Sequence, residues 1–290
     1  MNGQGKRKGW ETLPRPVAFV FSGGTSLGAL QAGMLRAMVE HDLTPDLLVG
    51  TSVGAFNAVF MGGGYRRKRV SELTRIWREL ETSDIFGHVS FMRLVNLFLA
   101  GETLAGQEAL RELIRANAPE SHEDLAIPVH VVATDLLTGE PVVLSRGPLV
   151  EHLLASSAIP FVFPPVTVDG RALVDGSVSA HVPLLLAEKL GARTLVVFDT
   201  GYPCKLEKLP ATPFESTLHL MSIILHRQPS GILSLLEEQT SVVYPPTPCP
   251  VTVPSYDFSQ GLRLIHDGYE AAKEFLDRLV LGGPGVYVGA

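Results

Sequence analysis

The apolar positions of the chain fall into two rhythms. Val17–Phe21 (VAFVF) is a continuous apolar run, bounded by Pro16 and by Ser22-Gly23-Gly24. That is the mark of a strand buried on both faces. From about Gly28 the spacing changes, and Leu30, Met34, Leu35 and Met38 recur at helical intervals up to His41. Leu47–Val49 is a second strand run, and Val53–Met61 suits a second helix. Strand, helix, strand, helix in quick succession is the pattern of a mostly parallel sheet covered by helices, an α/β chain.

The same reading continues downstream. Residues 69–118 carry several amphipathic helical pieces. Val129–Thr134 and Pro141–Ser145 read as strands, and Leu149–Ser156 as a short helix before the turn-rich IPFVFPP. Val166–Val174 reads as a hairpin turning at Asp169-Gly170, because Asp-Gly supplies the positive φ values of a tight turn. Val182–Leu190 is helical and Thr194–Phe198 is an interior strand. Residues 200–262 are broken by prolines, with two apolar helical pieces at 214–226 and 231–240. An amphipathic helix over 263–281 follows. The expected organisation is a flexible tail over 1–15, a single domain over 16–281, and a second tail over 282–290.

Composition narrows the function classes. Of 290 residues, 46% are apolar, enough for a large packed core. The net charge of −6 argues against a nucleic-acid partner, which calls for a basic excess. Cys204 and Cys249 lack metal or redox spacing, and the nine histidines form no HExxH, so neither metal nor cofactor is expected. The basic start, with Lys6, Arg7 and Lys8, lacks the apolar stretch of a signal peptide, and no segment is long and apolar enough to span a bilayer. The expectation is a cytoplasmic protein, with peripheral membrane contact left open.

Three short stretches carry chemistry. Gly50-Thr51-Ser52-Val53-Gly54 fits G-x-S-x-G, with a strand before it and a helix after it. A serine on so sharp a turn presents its hydroxyl above the sheet, and the glycines Gly50 and Gly54 relieve crowding. Ser22-Gly23-Gly24-Thr25-Ser26-Leu27-Gly28 also joins a strand to a helix, where exposed N–H groups favour negative charge. It lacks the second glycine of G-x-G-x-x-G and the lysine of a P-loop, so an oxyanion hole fits it better than a nucleotide phosphate. Val174-Asp175-Gly176-Ser177 puts a carboxylate after a short strand; an Asx turn explains it equally well when read alone.

In order and content these stretches resemble the patatin-like phospholipase family: SGGTSLGALQAGML, GTSVG and DGS, with ASSAIPFVFPP (Ala155–Pro165) before the aspartate. The resemblance spans about residues 17–200. It implies a patatin-like three-layer α/β/α fold and a Ser–Asp dyad without histidine. Ser52 would be the nucleophile and Asp175 its base, with Gly23, Gly24 and Thr25 supplying oxyanion donors and Gly176 completing the third motif. The implied reaction is hydrolysis of a lipid acyl ester through an acyl-enzyme. Because free aspartate has a pKa of about 3.9, the base is expected to be weak and the oxyanion donors important. Three positions depart from the family pattern: Thr25 stands where a third glycine is common, Leu27 where a cation is common, and Ser177 where Gly or Ala follows D-G.

Two other functions stay open beside hydrolysis: an acyltransferase or thioesterase acting on carrier-bound acyl groups, and a catalytically silent lipid-binding relative. Thr51 counts against the transferases, which carry histidine at that place. His181 is expected to be structural. Leu218, Met221, Ile224, Leu225, Ile232, Leu233, Leu235 and Leu236 suit either core packing or a lid and bilayer surface. The run Arg66–Arg69 suits a solvated loop or a lipid-phosphate contact. Acyl length, head group and oligomeric state are not encoded in any of these patterns.

Overall fold

The computed structural model describes residues 9–86, 106–201, 229–248 and 257–289, with 209–210, 216, 219–220, 223–225 and 253. Cys204, Cys249, Lys6, Arg7, Lys8, Leu218 and Met221 lie outside the described residues. The first half runs β1 (Val17–Phe21), α1 (Gly28–Glu40), β2 (Leu47–Thr51), α2 (Val53–Gly62), α3 (Arg67–Glu79), α4 (Thr82–Phe86) and α5 (Glu108–Asn117). Then come β3 (Val129–Asp135), β4 (Pro141–Leu144), α6 (Leu149–Ser156), β5 (Val166–Val168), β6 (Arg171–Asp175), α7 (Ser177–Ala180), α8 (Leu184–Lys189) and β7 (Thr194–Phe198). The chain closes with α9 (Pro229–Ile232), β8 (Ser241–Tyr244), α10 (Gly261–Arg278) and β9 (Val286–Val288).

These strands form one sheet in the order β5-β6-β3-β2-β1-β7-β8-β9, with β4 on the other edge of β3. Pairings from β3 through β9 on the long path are parallel, and those of β4, β5 and β6 are antiparallel. The alternation of side chains along β1 explains the layers. Val17, Phe19 and Phe21 join one core with α1, α2, α3 and α10. Ala18 and Val20 join a second core with Leu184 and Ala187 of α8. The central strands are apolar on both faces because both faces are covered.

Both expected tails need correction. Trp10–Thr12 forms a 3-10 turn, Leu13 is buried, and Arg15 pairs with Asp46 at 2.5 Å. Leu13 supplies an apolar anchor, so residues 9–15 belong to the domain. Val286–Val288 is likewise a strand, pairing with β8 through Val242↔Val286. The open edge of β8 offers backbone groups that this segment satisfies. The helical reading of 231–240 is replaced by α9, a 3-10 turn at Leu233–Leu235 and then β8. Val242 and Val243 are fully buried, so a short apolar run inside proline-rich sequence becomes an interior strand. The helical piece expected at 214–226 and residues 87–105 of the stretch 69–118 lie largely outside the described residues; the remaining expected strands and helices form close to their expected bounds, including the Asp169-Gly170 turn with φ of 48° and 76°.

Candidate active site

Two strand ends meet at the centre of the sheet. β2 pairs with β3 up to Thr51↔Val132, and β6 pairs with β3 from Asp135↔Leu173 to Ala133↔Asp175. β4 already occupies residues 131–134 on one edge of β3. β6 therefore takes the opposite edge, where β2 stops. The strands arrive from opposite directions, so the residue after β2 and the last residue of β6 face each other. Those residues are Ser52 and Asp175.

Ser52 sits at φ 54° and ψ −127°, a conformation that L side chains rarely adopt. The neighbouring backbone holds it there. A Cβ at Gly50 would meet the Gly54 carbonyl oxygen at 2.5 Å, and one at Gly54 would meet the Ser22 carbonyl oxygen at 2.4 Å. Both motif glycines thus allow backbone to approach backbone. The Ser52 hydroxyl donates to Asp175 Oδ2 at 2.7 Å, with no histidine between them. The Ser52 N–H donates to Ser156 Oγ at 2.8 Å, and the Ser156 hydroxyl donates to the Val132 carbonyl at 2.6 Å.

Asp175 is buried, with 4% of its surface exposed. Its Oδ1 accepts the Ser177 N–H at 2.8 Å, and its own N–H donates to the Ala158 carbonyl at 3.0 Å. Gly176 donates to the Ser156 carbonyl at 3.3 Å, and a Cβ there would lie 2.2 Å from the Val132 carbonyl oxygen. Burial pushes the Asp175 carboxyl up to about 6, while hydrogen bonds from Ser177 and Ser52 hold it lower than burial alone would. The expectation of a weak base with an ordinary carboxylate pKa is thereby corrected. Ser177, a departure from the family pattern, contributes a side-chain hydrogen bond to this carboxylate as well.

The glycine loop packs against Gly54, and one of its amides is already engaged. Gly23 N–H donates to the His181 carbonyl at 3.1 Å, so this expected donor is already engaged. Gly24 has φ 146° and Thr25 φ 49°, so the β-branched residue adopts the backbone a glycine would. Thr25 lines the same pocket as Ser52. The first amides of α2, after Ser52, are those that a helix leaves without internal acceptors. His181 packs against Gly23, its Nδ1 lying 3.3 Å from where a Cβ would stand. It braces the loop and does not bridge Ser52 to Asp175.

A buried polar chain behind the loop escaped the reading of the sequence. Trp77 Nε1 donates to Asn57 Oδ1 at 2.8 Å, Asn57 Nδ2 to Gln31 Oε1 at 2.8 Å, and Gln31 Nε2 to the carbonyls of Ser22 and Phe198 at 2.9 Å each. Gln31 and Asn57 are fully buried. Their only sequence signal is a lone amide on each of two apolar helices.

Ser52 opens onto a pocket enclosing about 560 Å³, its open mouth included. Its walls are apolar: Phe56, Trp77, Leu110, Ile114, Leu153 and Phe163 among them. None of the described residues from 214–240 lines it. Leu220, Ile224 and Leu235 are exposed, whereas Ile232, Leu233 and Leu236 pack on the second core. Arg69, from the basic run, donates to the Phe60 carbonyl at 2.5 Å and lies over the Phe60 ring at 4.5 Å, so it braces α2. Among the described residues, no cluster of three metal-ligating side chains forms, and no helix is long and apolar enough to cross a membrane.

Comparison with known proteins bears on the family of the chain. The family model described as patatin-like phospholipase matches residues 19–188. The mouse (Mus musculus) patatin-like phospholipase domain-containing protein 6 is 27% identical over 187 residues, which is 64% of this chain but 13% of that protein. A Mycobacterium bovis protein named as an uncharacterized NTE family protein is 31% identical over 169 residues, 58% of this chain and 44% of its own. The chain thus matches less than half the length of either relative. The crystal structure of VipD from Legionella pneumophila superposes with a TM-score of 0.49 and 14% identity, covering 91% of this chain and 67% of that one.

Proposed function

The chain belongs to the patatin-like phospholipase family, and from that premise we propose that it hydrolyses lipid acyl esters with a Ser52–Asp175 dyad. The observation that carries the proposal is the 2.7 Å hydrogen bond to Asp175 from the hydroxyl of Ser52, a residue that lines an apolar pocket. The pocket takes the acyl chain by burying apolar surface, which leaves the ester carbonyl beside Ser52.

In the first step Asp175 accepts the Ser52 proton as the oxygen attacks the carbonyl carbon. The developing oxyanion is met by amides of Gly24 and Thr25 and of the first turn of α2. Collapse of the tetrahedral intermediate breaks the ester C–O bond, and Asp175 passes its proton to the departing alcohol. Water then gives a proton to Asp175 and attacks the acyl-enzyme. The fatty acid leaves, and Ser52 recovers its proton from Asp175. A carboxylate raised by burial is a stronger base than a free one, which suits this role near neutral pH. The substrate is reached at a lipid surface, where the chain makes peripheral contact.

Reaction with a long-chain fluorophosphonate tests the nucleophile. The expected result is a single adduct mapped to Ser52, absent from Ser52→Ala. An adduct on another residue, or none with a folded chain, would remove the proposal.

A further inference from the structure

The sheet order places β1 between β2 and β7. The loop that leaves β1 therefore has Ser52, past the end of β2, on one side and Thr200, past the end of β7, on the other. Thr200 is fully buried. Its hydroxyl donates to the Gly23 carbonyl at 2.6 Å, and the Ser22 hydroxyl donates to that same oxygen at 2.9 Å. Ser22 Oγ in turn accepts the Thr200 N–H at 2.9 Å. Gln31 fixes the preceding carbonyl, that of Ser22.

In a trans peptide the C=O and the following N–H point in opposite directions. With the Gly23 carbonyl drawn to the β7 side, the Gly24 N–H faces the β2 side, where Ser52 stands. Two consecutive glycines would otherwise let this peptide plane turn freely. Gly24 is packed on Thr200 as well, since a Cβ there would lie 2.2 Å from Thr200 Oγ1. We propose that Thr200 is a positioning residue whose hydroxyl, through the Gly23 carbonyl, aims the Gly24 N–H at the oxyanion formed on attack by Ser52. The inference rests on the Ser–Asp reading above.

The test compares Thr200→Val and Thr200→Ser with the unmodified chain on p-nitrophenyl octanoate. Inhibition by an octyl trifluoromethyl ketone, which forms an oxyanion when Ser52 adds to it, is measured beside inhibition by octanoic acid, which does not. Thr200→Val is expected to lower kcat about 10- to 100-fold and to weaken the ketone by the same factor, while KM and octanoic acid inhibition stay within about threefold. Thr200→Ser keeps the hydroxyl and is expected to stay within about threefold of the unmodified chain throughout. Equal losses in both variants would assign Thr200 to packing alone and overturn the inference, as would unchanged kcat and ketone affinity in Thr200→Val. If Thr200→Val fails to fold, Ser22→Ala takes its place, and unchanged kcat there overturns the inference. Ser52→Ala run alongside separates the two readings. Activity surviving in it sinks the dyad and this inference together, whereas an inactive Ser52→Ala beside a fully active Thr200→Val sinks the inference alone.

Discussion

Ser156 holds Ser52 by its backbone: the Ser156 hydroxyl accepts the Ser52 N–H at 2.8 Å and donates to the Val132 carbonyl at 2.6 Å. One buried hydroxyl therefore ties the strained turn at Ser52 to β3, on the register that also places Asp175. Ser156→Ala would leave a buried donor and a buried acceptor without it, at a cost of about 1–3 kcal/mol for each such group. The expected outcome is a clear fall in Tm with kcat down about tenfold, since a displaced nucleophile loses its alignment. Thermal denaturation and ester hydrolysis on the same preparation check both; an unchanged kcat would show that Ser52 is held without Ser156.

The pH dependence follows from Asp175. Its carboxyl titrates near 6, above the ordinary value, because burial disfavours the charge. As a base it must be ionised, so kcat/KM should rise with pH through an apparent pKa of about 6 and then level off. Stability has the opposite sign. Below about pH 4 the group is neutral in both the folded and the unfolded chain; between there and about 6 the unfolded chain ionises first, and the fold loses stability as pH rises. Asp175→Asn removes that burden. It should be inactive and yet more stable than the unmodified chain at pH 8 by about 2–3 kcal/mol, with the gain gone at pH 4. Denaturant unfolding at the two pH values measures this, and equal stability at pH 8 would mean that the carboxylate is better solvated than its burial implies.

Gly54 cannot accept a side chain. A Cβ would stand 2.4 Å from the Ser22 carbonyl oxygen and 2.7 Å from that of Phe21, both rigid backbone atoms. Gly54→Ala should cost about 3 kcal/mol or more and separate α2 from the loop that carries Gly24. Gly191→Ala is a useful contrast. It has φ of 94° but nothing near its Cβ, so it should lose stability through backbone strain while retaining kcat. The pair of variants, compared by Tm and by kcat, separates damage to the site from damage to the fold.

Chain-length preference should answer to the pocket wall. Ile114 is buried and lines the cavity into which Ser52 opens. Ile114→Phe fills part of that space. The expected change is a shift of the optimum toward shorter p-nitrophenyl esters, with long-chain kcat/KM falling about tenfold more than short-chain. A uniform loss across lengths would place the acyl chain elsewhere.

How far the sequence disclosed all this differs from one residue to the next. β1, β2, β3 and β7 were legible because strands covered on both faces must be apolar throughout. Ser52 and Asp175 were legible as ordered motifs, and their pairing was expected from the family resemblance; the strand arrangement behind it, β2 and β6 sharing an edge of β3, was not legible in the residues. β8 and β9 were hidden by brevity and by the prolines around Pro245 and Pro246; their pairing is settled by the sheet edge and not by local preference. Gln31, Asn57 and Thr200 were invisible for another reason. A single polar residue in an apolar helix, or one after a strand, says nothing of what it bonds until the fold brings the partner. The raised pKa of Asp175 belongs to the same class, because burial is a property of the folded chain.

The most direct test of the account is the hydrolysis of p-nitrophenyl octanoate by the unmodified chain, Ser52→Ala and Asp175→Asn, each verified as folded. The account predicts turnover by the unmodified chain and a loss of at least about 1000-fold in both variants, because the two residues act as one unit. Turnover that survives in Ser52→Ala would contradict it.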